Sequence, residues 1–445
     1  MTESSPARGV WGSKIGFILA AAGSAIGLGN IWRFPTVAGS NGGAAFVLVY
    51  LACVFLIGVP VMVAELSIGR RTRSDPVGAF KILAPQTLWK LLGGLGVLTG
   101  FMILSAYSVV AGWILHYIFL TVNGLLTAVD TEHIKDTFST FVADGPTVIL
   151  CHFFFMAFSV LIVAGGIEKG IERTSKVLMP VLGLLLVLLV IRSVTLPGAL
   201  TGINFYLNPD FSKVNLNVVM AALGQAFFSL SLGMGAMITY GSYLSKNDNL
   251  VSSAIFVSLA DTLIAFVAGF AIFPALFSSG LSPMAGPGLM FLVLPEIFNA
   301  IPFGQLFGTT FFFLLAIAAL TSTISLLEVV VAYSIDQLGW TRKRGALVIG
   351  VIVFLWGVPS ALSNGSVPFL SGFMDIIFLY FAEVSLALGA LLICVFVGWL
   401  WGVDNALEEI KIGYPNFRLA PVWSFLVRFA CPIAITVILA SYFWT

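Results

Sequence analysis

Two apolar stretches of this chain are broken by glycines where a membrane-crossing helix should run on. They are Gly23-Ser24-Ala25-Ile26-Gly27-Leu28-Gly29-Asn30-Ile31-Trp32-Arg33 near the start and Phe228-Ser229-Leu230-Ser231-Leu232-Gly233-Met234-Gly235 halfway along. Hydrocarbon satisfies none of the backbone N–H and C=O groups that such a break frees, so the break survives only where it lines a cavity or holds a polar ligand. Two breaks in corresponding places therefore point to a binding site at the bilayer midplane.

The rest of the chain is consistent with a membrane setting. Of 445 residues, 59% are hydrophobic and 9% charged, whereas a soluble domain carries about 25% charged residues. The net charge of +1 comes with no basic run, which gives no reason to expect nucleic acid as a partner. Cys53, Cys151, Cys394 and Cys431 lie in apolar stretches without paired spacing and read as small buried hydrophobes, not as a disulfide or metal set. Small residues from Ala20 to Ala25 imitate a signal-peptidase site, but apolar character continues past them to Asn30 and Arg33. A retained first helix after a short polar tail, Met1 to Trp11, is expected.

Eleven stretches are long enough to span, at about 14–37, 43–68, 89–123, 146–164, 171–192, 215–243, 251–278, 303–336, 345–360, 370–400 and 421–444. The third, eighth and tenth exceed what a bilayer needs and should tilt or protrude. Lys and Arg concentrate in the loops on the N-terminal side, as at Arg70, Arg71, Arg73, Lys169, Arg173, Arg342, Lys343 and Arg344. The opposite loops hold Lys135 and Lys213, so the N-terminus should be cytoplasmic. External segments include an acidic loop over 130–144 and a Pro/Gly-rich stretch over 281–302 that could form a capping hairpin. Five spans being an odd number, a second set of five starts with opposite orientation, which is a 5+5 inverted repeat. The fold class expected is an all-α integral membrane protein with 11 transmembrane helices, helices 1 and 6 discontinuous. The units would be residues 1–192, 193–400, and 401–445 as a cytoplasmic loop with an appended helix.

Glu65, Asp261, Glu328, Asp375, Glu383 and Arg33 lie in or at the ends of apolar spans. Each costs at least about 2.5 kcal/mol at a lipid-exposed centre, so each should face the interior and find a partner. Thr321 and Ser325 share a face of span eight. Such hydroxyls often only back-bond to the preceding turn, yet beside carbonyls freed at 23–27 they would offer oxygen ligands to a small hard cation. Asp261 and Asn30 suit the same task at a second position. Half-helix N-termini attract a carboxylate and half-helix C-termini an ammonium. Together they fit the zwitterion of an amino acid.

These residues resemble the neurotransmitter:sodium symporter family, and more closely its bacterial amino-acid transporters. The strongest motif is Gly27-Leu28-Gly29-Asn30-Ile31-Trp32-Arg33-Phe34-Pro35 followed by Asn41-Gly42-Gly43, with Ser229-Leu230-Ser231-Leu232-Gly233 and Leu320-Thr321-Ser322 as independent support. The resemblance runs end to end and implies two sodium ions bound beside the substrate. The first would take the Ala25 carbonyl, Asn30, Ser229 and Asp261. The second would take the Gly23, Ile26 and Ala318 carbonyls, Thr321 and Ser322. Tyr107 would contact the substrate carboxylate, and Ala25, Gly29, Ile103, Phe228, Ser229, Ser231, Met234, Ser325 and Leu326 would complete the substrate site. Arg33 with Asp375 would gate the external side. Arg8 with Asp336, together with Trp11 and Tyr243, would gate the cytoplasmic side. Gly170 and Pro180 would frame a segment of span five that unwinds to hydrate the inner sodium site.

Departures from the family pattern narrow the expectation. Amine-carrying members place an acidic residue where this chain has Gly27, so an amino acid that brings its own carboxylate is favoured. Asp261 supplies a fixed negative charge where chloride-dependent members are neutral, so chloride should be unnecessary. Met234 between Gly233 and Gly235 makes an adaptable pocket that should accept bulky apolar side chains, aromatics included. The expected function is sodium-coupled import of hydrophobic L-amino acids across a bacterial inner membrane, with oligomeric state left open. Two ions driven by about 100 mV and a tenfold gradient supply about 7.4 kcal/mol, enough for a substrate gradient of about 10⁵. The alternatives are a proton-coupled transporter of the same broad fold, a non-transporting substrate sensor, and an intramembrane enzyme. For the last, His116, His133 and His152 form no metal-binding or triad pattern.

Overall fold

The computed structural model describes residues 9–127, 129–280 and 290–444. Among these the chain is helical with no strand, and eleven spans follow in order. Span one is a bent pair, Lys14–Ala25 and Gly29–Ser40, with 54° between its halves. Spans two to five are Ala44–Thr72, Lys90–Val122, Gly145–Ala164 and Ile167–Val194. Span six is Leu216–Ser229, a break, and Ala236–Gly241. Spans seven to eleven are Leu250–Ser278, Gly304–Leu338, Arg342–Leu362, Pro368–Leu400 and Ala420–Ala440. The expected long spans three, eight and ten have 33, 35 and 33 residues.

Burial sorts the spans into two layers. The most apolar windows of spans three and eight are 89% and 83% buried, against 28% for spans five and eleven. Spans three and eight pack along each other at the centre, and the first half of span one contacts spans five, seven and eight. The outer spans spend their apolar residues on lipid, as Leu161, Leu184 and Ile433 do at 60% exposure or more. Polar side chains start the helices: Ser13 accepts from the Gly16 amide, Asp75 from Val77, and Asn249 from Ser252, each satisfying a donor the first turn leaves free.

Three segments refine the sequence expectation. The acidic stretch over 130–144 is a helix, Thr131–Ala143, whose first turn is capped by Asp130 accepting from the His133 amide at 2.8 Å. Of the stretch read as a capping hairpin, 281–289 lies outside the described residues, and Val293–Ala300 is a helix. Gly170 sits in a π turn, Ile167–Glu172, that runs on into the helix Arg173–Val194 with Pro180 inside it. A Cβ on Gly170 would lie 2.1 Å from the Ile162 carbonyl oxygen. This glycine therefore permits a close backbone approach in the wound state, apart from any role in unwinding.

At the end of span two, a buried ion cluster ties three segments together. Glu409, on the helix Val403–Gly413, takes the Arg70 Nε at 2.7 Å, the Lys246 Nζ at 2.9 Å and Arg71 at 3.7 Å. Arg70 also donates to the Asp248 carbonyl at 2.5 Å and to the Glu409 carbonyl. Each nitrogen of its buried guanidinium thus meets a protein acceptor, the condition under which a buried charge is tolerated.

Candidate functional site

The break in span one begins where Ile26 leaves the helical conformation, with φ −73° and ψ 103°. Two amides freed there find side chains: Gly27 donates to Asn30 Oδ1 at 3.0 Å, and Leu28 donates to the Tyr107 hydroxyl at 3.1 Å. The Tyr107 hydroxyl keeps its own proton to give to a ligand. Span six breaks through three left-handed residues, Ser231 (φ +54°), Gly233 (φ +85°) and Gly235 (φ +77°). The Gly233 amide donates to Glu65 Oε1 at 2.7 Å, and a Cβ on Gly233 would lie 2.0 Å from the Leu386 carbonyl oxygen. Only glycine fits there, on both conformational and steric grounds. Ser231 Oγ donates to the Ser24 carbonyl at 3.0 Å and so bridges the two breaks.

Between the breaks lies a small cavity. Of the expected substrate residues, Ala25, Gly29, Ile103, Tyr107, Phe228, Ser231, Met234, Ser325 and Leu326 line it. Ser229 does not; its hydroxyl is spent on Asp261. Ser24, Gly27, Ser322 and Leu386 also line the cavity and were not assigned to the substrate from sequence. Leu386 was unreadable because span ten carries no local signal linking it to the breaks, whereas Ser24 and Gly27 stand inside the motif itself.

At the cavity's edge, three polar side chains converge in the dry core. Asn30 Nδ2 donates to Asp261 Oδ1 at 2.6 Å, and Ser229 Oγ donates to the two Asp261 carboxylate oxygens at 3.0 and 2.9 Å. Tyr50, not anticipated, donates to Asp261 Oδ2 at 3.4 Å. All four residues are at most 1% exposed. Among the described residues no cationic side chain pairs with Asp261, so its carboxylate is a buried charge without a counterion. Such a group calls for a cation, and Asn30 can turn its amide oxygen toward one. The donor set therefore fits the first sodium ion.

On the other face of span one, Thr321 Oγ1 donates within reach of three carbonyls, Ala318 at 3.0 Å, Ile317 at 3.2 Å and Ile26 at 3.4 Å. Gly23 packs on the same side chain, since a Cβ there would lie 3.2 Å from Thr321 Cβ. Ser322 Oγ faces Gly27, 2.5 Å from where a Cβ would stand. A hydroxyl and carbonyls of two spans, with no carboxylate, suit a monovalent ion more than calcium.

The structure brings some of the residues assigned to the gates together and keeps others apart. Arg33 lies 4.7 Å above the Phe228 ring, donates to Gln225 at 3.3 Å, and pairs with Glu383 at 3.0 Å. Its expected partner Asp375 is exposed, in the first turn of the helix that starts after Gly372. A carboxylate there complements the positive end of the helix dipole, while Glu383, further along the same span, lines a small separate cavity with Arg33 and Phe228. Gln225 was also missed; it joins Arg33 to the Gly29 carbonyl, 3.1 Å away. On the opposite side, Trp11 packs on Phe17, Tyr240 and Tyr243 and donates to the Tyr240 carbonyl at 3.1 Å. Tyr243 donates to Glu328, which takes Arg342 through both oxygens at 2.7 and 3.0 Å. Asp336 accepts from the Asp75 amide at 2.7 Å. Arg8 lies outside the described residues.

A family model described as the sodium:neurotransmitter symporter family matches residues 8–140 and 142–444. The chain is 42% identical to an uncharacterized sodium-dependent transporter of Bacillus subtilis, covering 98% of each. It is 30% identical to the human sodium- and chloride-dependent GABA transporter 2, covering 98% of this chain and 80% of that one. Among solved structures, MhsT in complex with L-phenylalanine is similar at TM-score 0.89 and 48% identity, covering 98% of this chain and all of that one.

Proposed function

Since the chain belongs to the sodium:neurotransmitter symporter family, we propose that it imports hydrophobic L-amino acids, bulky aromatic ones included, coupled to two sodium ions and independent of chloride. The observation that carries this reading is the buried Asp261 carboxylate, lacking a side-chain counterion among the described residues and standing beside a mostly apolar cavity. Similarity to a protein solved with L-phenylalanine supports the substrate class.

In this reading the substrate carboxylate meets the Tyr107 hydroxyl and the first sodium ion, which Ala25, Asn30, Ser229 and Asp261 hold. The ammonium meets carbonyls at the end of the first half of span one. Ile103, Phe228, Met234, Leu326 and Leu386 take the side chain. Gly27 leaves space for Tyr107 and Ser322 where an acidic residue would otherwise claim an amine. The second ion sits among the Gly23, Ile26 and Ala318 carbonyls, Thr321 and Ser322. Its release follows unwinding between Gly170 and Pro180.

Arg33, Glu383 and Phe228 act as the outer gate, and Trp11, Tyr243, Asp336 and Arg8 as the inner one. An exposed or half-exposed pair contributes about 0 to 1 kcal/mol, weak enough to break and remake in each cycle. The N-terminus faces the cytoplasm from a bacterial inner membrane, and the units are residues 1–192, 193–400 and 401–445. Competition by all twenty amino acids against a bound radiolabelled hydrophobic amino acid, with and without sodium, tests the reading. Aromatic and aliphatic residues should compete only in sodium. Binding of equal strength without sodium would overturn it and favour proton coupling.

A further inference from the structure

The segment that leads into span one lies against the first turns of span five through its glycines. A Cβ on Gly9 would stand 2.8 Å from Ile167 Cγ1, one on Gly12 3.1 Å from Glu168 Cγ, and one on Gly16 2.0 Å from Glu172 Oε1. All three neighbours belong to the π turn Ile167–Glu172 that opens span five. Side chains at these positions would push the two segments apart.

Glu172, which the sequence did not single out, turns this packing into a polar clasp. Its side chain is buried, and its carboxylate accepts from the Gly12 amide at 2.6 Å and from the Ser13 hydroxyl at 2.9 Å. Lys176, one turn further along span five, donates to the same carboxylate at 2.6 Å. Ser13 is at the same time the N-cap of span one, accepting from the Gly16 amide at 3.0 Å. On its other side the segment is held by span six, where the Trp11 indole donates to the Tyr240 carbonyl at 3.1 Å and the Trp11 amide to the Tyr243 carbonyl at 3.4 Å. Residues 11–13 are therefore strapped between spans five and six, with Glu172 as an anchor on the span-five side.

Glu172 also stands between Gly170 and Pro180, inside the stretch of span five assigned above to unwind. A buried carboxylate is tolerated only while its donors converge on it, and an i, i+4 pair such as Glu172 and Lys176 meets only while the turn between them stays helical. Unwinding therefore pulls this anchor away from Gly12 and Ser13. We propose that Glu172 is a positioning residue of the inner gate: it holds the N-terminal segment docked while span five is wound, and the docked segment in turn favours the wound turn. A coupling of this kind acts equally in both directions. The inference rests on the transport reading above, in which unwinding of span five and movement of the N-terminal segment serve one step.

Hydrogen–deuterium exchange of the full chain in detergent and sodium tests it. In Glu172→Ala, exchange should quicken on the order of tenfold over residues 9–16, and it should quicken over residues 167–172 as well. Span three, remote from the clasp, should exchange as in the unaltered protein and so reports on folding. Gly16→Ala pushes a methyl into the same carboxylate from the span-one side and should give the same paired effect, which keeps the test open if Glu172→Ala does not fold. Faster exchange over 9–16 alone would overturn the coupling and reduce Glu172 to a support for the start of span one. Unchanged exchange over both segments would overturn it outright. Binding of a radiolabelled hydrophobic amino acid by the unaltered protein is read separately: the paired effect in a chain that binds none, with or without sodium, would support the coupling and sink the transport reading.

Discussion

Replacing Asp261 by Asn removes one charge and almost no volume from the point where spans one, six and seven meet. With a sodium ion about 4 Å from the charge centre and an effective dielectric of about 20, the lost attraction is about 4 kcal/mol. The amide retains one oxygen ligand, which brings the expected loss to about 2 to 4 kcal/mol, or roughly a 30- to 1,000-fold rise in the sodium concentration needed for half-maximal substrate binding. Stability should move in two directions. Without sodium, Asp261→Asn removes a buried charge that has no side-chain counterion among the described residues, so it should cost little even though the Asn30 amide then faces another amide. With sodium at about 100 times its dissociation constant, the unaltered protein gains about 2.7 kcal/mol of stability from the ion, and the variant should lose most of that gain. Equilibrium binding of radiolabelled substrate across a sodium titration, with melting curves at each concentration, reads both quantities. A half-saturating sodium concentration within twofold of the unaltered protein's, in a variant that still melts cooperatively, would refute the reasoning.

Uptake into vesicles should be unchanged when chloride is replaced by gluconate, and abolished uptake would remove Asp261 from the role of fixed counter-charge. Gly27→Ala places a Cβ 2.5 Å from Ser322 Oγ and 3.0 Å from the Tyr107 hydroxyl; both can turn aside, so the fold should persist while substrate affinity falls at least about tenfold, or about 1.4 kcal/mol, in a binding assay. Gly233→Ala should instead destabilise the whole protein. Its Cβ would lie 2.0 Å from backbone at φ +85°, a strain of order 1 to 3 kcal/mol before the clash is counted, visible as a lowered melting temperature. Pro180→Ala should slow inward release of sodium, and unchanged release kinetics would count against unwinding between Gly170 and Pro180.

What the sequence determined by itself was whatever the physics of lipid makes local. Span count follows from apolar length, and the two breaks follow from glycines in stretches that hydrocarbon would otherwise hold helical. Ala25, Gly29, Phe228, Ser231 and Met234, together with Asn30 and Ser229, were legible because the breaks mark them; Asp261 and Ser325 stood out as polar groups in apolar spans, while Ile103, Tyr107 and Leu326 came only from the family resemblance. Tertiary structure alone decided the pairings. Whether Arg33 meets Asp375 or Glu383 depends on which turn of span ten faces the cavity, and residues so far apart in the chain carry no mutual spacing rule. For the same reason Tyr50 at the Asp261 carboxylate, Leu386 on the cavity wall, Glu65 on the Gly233 amide and Arg342 on Glu328 emerge only when spans distant in sequence are brought within hydrogen-bond or van der Waals reach. A bilayer selects for length and apolarity along each helix, but rotation about the helix axis is set by neighbouring helices. That rotation decides which polar group finds which partner.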